Sequence, residues 1–151
     1  IPSNVKTIVE NAFARCISLE LVNIPEGSTR ISRGVFSGCT ALQSITLPLS
    51  AKGIGEKVFE GCTSLQSVNI PDGVTKLGFK VFSNCTSLST ITIPASVKTL
   101  GQLAFEQCTS LQNIVYQGTK SEWEYITKDA SWNQDVPCRV VHCIDGDVEI
   151  D

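Results

Sequence analysis

The sequence predicts an α/β solenoid of short parallel strands, coil stacked on coil, with a capping segment at the C-terminal end. Three observations predict it. The 23-residue stretch IPASVKTLGQLAFEQCTSLQNIV (Ile93–Val115) has four in-register counterparts, so that residues 1–23, 24–46, 47–69, 70–92 and 93–115 form five contiguous copies. A fixed period in the twenties means one structural coil per repeat. Apolar positions recur at fixed places: an aliphatic residue at position 8, Phe at 13, Cys at 16, Leu at 19, and Val or Ile at 22. The period then breaks after Tyr116, and 116–151 reads as a cap made of a short helix and a terminal hairpin.

Within a repeat, Leu19 and Val22 with Ile24 follow a Leu-x-x-Val-x-Ile pattern. Positions 22 and 24 then share one face and positions 21 and 23 the other, as in a half-buried strand. Pro at position 2 lacks the N–H a ladder needs and ends that strand. The Ala/Val-Phe pair at positions 12 and 13, with Cys three residues on, predicts a turn of helix on the opposite side. Phe13, Phe36, Phe59, Phe82 and Phe105 are expected to stack as a spine; no single repeat can bury them alone.

Five of the seven cysteines (Cys16, Cys39, Cys62, Cys85 and Cys108) share one repeat position. Neighbouring rungs about 4.8 Å apart would project these side chains in parallel, which suits disulfide torsions poorly. They read as buried thiols donating weakly to turn carbonyls. There is no CxxC spacing and only one His, so no metal or other cofactor is expected. With net charge −3, pI about 5.2 and no Lys/Arg run or stripe, nucleic acid is not an expected partner. No apolar run approaches the length of a membrane span.

The pattern IPxxVxxIxxxAFxxCxSLxxI over Ile1–Val115 resembles the BspA-like leucine-rich repeats of bacterial and some protist surface proteins. The resemblance implies a right-handed curved solenoid with a concave parallel sheet. It further implies a secreted or cell-wall setting and a binding or adhesion role without catalysis. Position 5 departs from the pattern at Ser28 and Ala51, and the third repeat carries Leu49, Gly53 and Gly55. Its outer loop is expected to be the least well packed.

In the tail, Thr119-Lys120-Ser121-Glu122 is a capping box, after which Trp123, Ile126 and Trp132 are placed to cover the last coil. Arg139–Ile144, then Asp145-Gly146, then Asp147–Ile150 reads as a hairpin on a type I′ turn. Such a cover hides core and strand edge. The N-terminal coil has no equivalent, so Ile1, Ile8, Phe13 and Leu19 are expected to be exposed unless upstream sequence or another chain covers them. A fragment of a longer protein is the expected source.

The outward strand positions give the first candidate site: Asn23, Ser44, Thr46, Ser67, Asn69, Thr90, Thr92 and Asn113. Such a polar, uncharged ladder offers hydrogen bonds to a glycan or an extended peptide, including a host matrix protein; its plainer reading is a solvated sheet face. Leu21, Phe79 and Leu103 are apolar where other repeats are polar; Phe79 and Leu103 are expected to pack together on adjacent rungs. His142 has no oriented nucleophile, because Cys143 points to the other face of its strand. Asp145, Asp147, Glu149 and Asp151 lack calcium-loop spacing and read as a charged edge. Cys138 and Cys143 are too far apart to bridge if both lie on one strand. The predicted function is a non-enzymatic recognition module. Its rivals are a structural spacer and an accessory segment that positions substrate for a larger enzyme.

Overall fold

A computed structural model describes residues 1–150; Asp151, placed above in the acidic edge, lies outside them. In chain order the elements are β1 (Arg30–Ile31), β2 (Ser44–Thr46), β3 (Gly53–Ile54), β4 (Ser67–Asn69), β5 (Lys76–Leu77) and β6 (Thr90–Ile93). They continue with β7 (Thr99–Leu100), β8 (Asn113–Tyr116), α1 (Lys120–Tyr125), β9 (Thr127–Lys128), β10 (Val140–Cys143) and β11 (Gly146–Glu149). The coils are those of a parallel β-solenoid with a 23-residue period. The strands at positions 21–23 form the concave side, in two blocks: β2 with β4, and β6-β8-β10-β11. A second ladder, β1-β3-β5-β7-β9, runs along positions 7 and 8. Bridges from Ile8 to Ile31 and from Asn23 to Thr46 tie the first coil to both rows.

The Phe spine forms as expected. Successive rings from Phe13 to Phe105 lie 5.7, 5.8, 5.4 and 5.5 Å apart and within 11° of parallel. Each buried ring is worth roughly 1.5–3 kcal/mol. The thiols behave as read: Cys39, Cys62, Cys85 and Cys108 each donate from Sγ to the carbonyl of Phe13, Phe36, Phe59 and Phe82, always at 3.1 Å. Each bond joins a coil to the one before it. All seven cysteines are free.

The helical turn expected beside Phe does not form. Positions 11 and 15 take positive φ in every coil: Asn11, Gly34, Lys57, Lys80 and Leu103, then Arg15, Gly38, Gly61, Asn84 and Gln107. Left-handed backbone at a non-Gly residue costs about 1–2 kcal/mol. The compensation lies between coils. The amides of Lys57, Phe59 and Gly61 donate to the carbonyls of Phe79, Val81 and Ser83, while the intervening Glu60 and Cys62 amides bond three residues back. A helix would satisfy all these donors within one coil and leave none to join the next. At about 0.5–1.5 kcal/mol per bond, with the Phe buried as well, stacking wins over helix.

The third coil is close-packed at Gly55 but open at Gly53, where an added Cβ would meet nothing within 4 Å. A Cβ on Gly55 would lie 2.9 Å from the Ile31 carbonyl oxygen, and one on Gly78 or Gly101 within 2.7 Å of the preceding coil's backbone. The glycine at position 9 is there because coils approach closely. Ala51 is buried and Leu49 points outward. In the second coil Ser28 occupies the Val position, fully buried, with its hydroxyl unpartnered.

The tail winds an irregular sixth coil. Thr127 and Lys128 pair with Thr99 and Leu100, and Val141 and His142 with Ile114 and Val115. Ser131 and Asp135 repeat the two positive-φ positions, and the Phe105 amide donates to the Trp132 carbonyl. The capping box on α1 forms around Thr119 and Glu122. Trp132 stands edge-on to Phe105 at 6.1 Å and to Trp123 at 5.7 Å, closing the spine. The hairpin turn differs from expectation. Cys143 pairs with Gly146, so Ile144 and Asp145 form the loop, and the positive φ (127°) falls on Gly146 after it. This is not a type I′ turn, which needs positive φ at both central residues. Cys138 precedes β10 instead of sharing its strand, and its Sγ donates to the Val140 carbonyl at 2.9 Å.

At the other end Ile8 is buried, contrary to expectation, because its own coil closes round it and Ile31 pairs with it. Ile1, Phe13 and Leu19 are partly buried, and the exposed apolar residues there are Val9, Ile17 and Leu21.

Three predictions follow from the packing. Replacing Ser28 by Ala removes an unpartnered buried hydroxyl and is expected to stabilise the fold by about 1 kcal/mol, read as a higher urea midpoint. Burial is the main cause that raises the thiols of Cys39, Cys62, Cys85 and Cys108, Cys62 and Cys108 to about 12 from 9.0. Above pH 9 the unfolded chain releases these protons and the folded one does not. Stability is therefore complete below pH 9 and lost as pH rises towards 12. Stability curves across that range check the slope. Thiol labelling of the native chain at pH 8 should modify exposed Cys16 first and leave those four unmodified until unfolding.

Candidate binding faces

The concave row presents what its strand alternation requires. Ile45, Val68, Ile91 and Ile114 point into the core, and the eight residues Asn23, Ser44, Thr46, Ser67, Asn69, Thr90, Thr92 and Asn113 are all exposed. Register stacks Ser44 on Ser67 and Thr46 on Asn69, then Thr90 on Asn113 and Thr92 on Val115. The two blocks meet between β4 and β6, which run side by side without a shared ladder. None of the eight side chains makes a hydrogen bond to another described residue, so their donors and acceptors face solvent. Exposed Leu21 begins the same face.

The sixth coil lengthens this face in a way the sequence reading missed. Because His142 pairs with Val115, it continues the column Asn23, Thr46, Asn69, Thr92. Its Nδ1 lies 2.9 Å from Asp147 Oδ1, the cross-strand partner on β11. The Val-Val-His-Cys alternation was visible, but its parallel pairing with β8 was not. Cys143 is on the other face, and burial, then the nearby Asp145 and Asp147, raises its thiol above the ordinary value. His142 thus faces a carboxylate and no nucleophile. Among the described residues no group of three or more His, Cys, Asp or Glu is placed to hold a metal ion. No helix among them is long and apolar enough to cross a membrane.

Other singled-out residues have local partners. Phe79 is half-buried, with the ammonium groups of Lys57 and Lys80 each 5.8 Å from its ring centre. Leu103 occupies a positive-φ corner. Burial works against ionisation of Glu106, but hydrogen bonds from Lys80 and Ser83 outweigh it and hold the carboxyl below its ordinary range.

The expectation that there is no Lys/Arg stripe is overturned. Single cations at positions 6 and 7 of successive repeats (Lys6, Arg30, Lys52, Lys76 and Lys98) fall on one edge of the second ladder. Register there places Arg30 beside Gly53 and Lys76 beside Thr99, and backbone bonds join Thr29 to Lys52, Lys52 to Thr75 and Thr75 to Lys98. A stripe built one residue per coil has no run in the linear sequence.

Comparison with known proteins agrees with this architecture. The BspA type leucine rich repeat region (6 copies) matches residues 1–112. A leucine-rich repeat protein from Bacteroides ovatus is 30% identical with a TM-score of 0.61, over 92% of this chain and 41% of that protein. The Treponema pallidum (T. pallidum) leucine rich repeat protein is 27% identical with a TM-score of 0.70, over 95% of this chain and 71% of that one. A leucine rich cell surface protein from Faecalibacterium prausnitzii is 32% identical with a TM-score of 0.55, over 71% of this chain and 34% of that one. The chain thus spans well under half the length of the first and third of these. Among curated proteins the comparison finds no match. The chain belongs to the BspA type leucine-rich repeat family.

Proposed function

We propose that the chain is a non-catalytic recognition module of a secreted or cell-surface bacterial protein, holding an extended peptide or glycan along its concave face. The observation that carries this reading is the exposed Ser/Thr/Asn ladder. Its side chains are unengaged, while the backbone beneath them is held by stacked coils. A rigid row of donors and acceptors binds an extended ligand without the ordering cost that a mobile surface incurs. The face has no aromatic or Arg anchor among those eight residues, so each rung contributes little. Affinity then rises with the number of rungs engaged. The cell surface setting is supported by the similar protein from F. prausnitzii, which is described as such.

The test is binding of the purified chain to a panel of extracellular-matrix proteins and glycans. The double variant Ser67→Arg and Thr90→Arg crowds the middle of the face without touching the core. A ligand bound by the native chain and lost in the variant is the expected result. A ligand retained by the variant moves the site elsewhere. No ligand for the folded chain contradicts the reading in favour of a spacer.

A further inference from the structure

The cationic edge carries a cleft of about 720 Å³ over coils two to four. Its origin is a missing side chain. Position 7 is Arg30 in the second coil and Lys76 in the fourth, but Gly53 in the third, where an added Cβ would meet nothing within 4 Å. The notch between Arg30 and Lys76 is floored by backbone at Gly53, Gly55 and Gly78, with Lys52 and Arg33 at its sides. Two carboxylates, Glu10 and Glu56, also line it, and Glu56 is already 3.8 Å from Arg33. Among the described residues Arg30, Lys52 and Lys76 have no ion pair. The cleft is therefore net positive on a chain whose overall charge is −3. The whole chain divides the same way: residues 1–115 hold nine Lys/Arg against seven Asp/Glu, and 116–151 hold three against eight.

The chemistry along this edge is specific in a second respect. Each coil contributes one cation beside one small residue: Lys6-Thr7, Thr29-Arg30, Lys52-Gly53, Thr75-Lys76, Lys98-Thr99. Coil register sets these pairs about 4.8 Å apart. A linear polymer with one anion and several hydroxyls per unit matches that alternation of charge and hydroxyl. A single nucleic-acid strand is normally held by aromatic stacking, and no aromatic residue lines the cleft. A bilayer is too flat to enter a notch. We infer that this edge is a second binding site, for a linear acidic polysaccharide, with one carboxylate or sulfate seated above Gly53 between Arg30 and Lys76. The site is independent of the concave face and does not rest on its having a ligand.

The experiment measures binding of the intact chain to dextran sulfate, polygalacturonate and neutral dextran, with a single-stranded oligonucleotide and phosphatidylserine vesicles as competitors. Dextran sulfate and polygalacturonate separate sulfate from carboxylate as the preferred anion. The expected result is salt-sensitive binding of at least one acidic glycan and none of dextran. Arg30→Gln with Lys76→Gln is expected to weaken it on the order of tenfold. Gly53→Glu, which fits the open space and puts a carboxylate where the ligand's anion would sit, is expected to do the same. The Ser67→Arg, Thr90→Arg variant retains it, so this site and the concave site fail separately. The inference is overturned by no binding at low salt, by equal binding in both cleft variants, or by tighter binding of the oligonucleotide or the vesicles.

Discussion

Each coil is held to its neighbour at one point above all others, the Phe–Cys corner. There a ring lies on the ring before it, a thiol donates to the preceding Phe carbonyl, and the amides at positions 11, 13 and 15 donate forward to the next coil. The corner depends on a neighbouring coil, since the amides of positions 11, 13 and 15 find their acceptors only there. Its two left-handed residues are unfavourable alone, by roughly 1–2 kcal/mol apiece, and forward hydrogen bonds and ring burial outweigh that cost. A chain built this way has little stability in any one coil and much between coils, which makes folding collective.

The same stacking decides what the surfaces can do. Alternation in the concave strands turns every second residue outward, and register lines these up as a neutral polar row. On the second ladder register collects one cation per coil, and in coils three to five the close approach of backbones leaves room only for glycine at position 9 (Gly55, Gly78 and Gly101). The cleft arises where position 7 also loses its side chain, at Gly53. Neither face is assembled from neighbours in sequence. The acidic end, with Asp145, Asp147 and Glu149, sits on the hairpin that closes the solenoid, where charge on an edge strand discourages further pairing.

Much of the fold was legible because a repeat tests each position five times. Phe at 13 and Cys at 16 declared the spine and the thiol bonds, and Thr119 with Glu122 declared the helix cap. The convex corner was not legible. Its left-handed positions hold Asn, Gly, Lys and Leu, or Arg, Gly, Asn and Gln, with no consistent glycine to mark them, so the spacing of Phe and Cys resembled a helical turn. The sixth coil was hidden by α1, which inserts between the rung positions and shifts the period; only Tyr116 kept its place. The eight concave residues were readable from alternation alone. His142 and the cation column were not, because both depend on which strands become neighbours.

Native-state hydrogen exchange tests the stacking account most directly. If the corner is held between coils, the amides of Phe36, Phe59 and Phe82 exchange as slowly as those of the strand residues Val68 and Ile91, and the Phe13 amide, in the terminal coil, exchanges faster. Exchange of the Phe36, Phe59 and Phe82 amides at the rate of exposed turns, with only the strands protected, would contradict it, since the corner would then be a surface loop laid over an independently stable sheet.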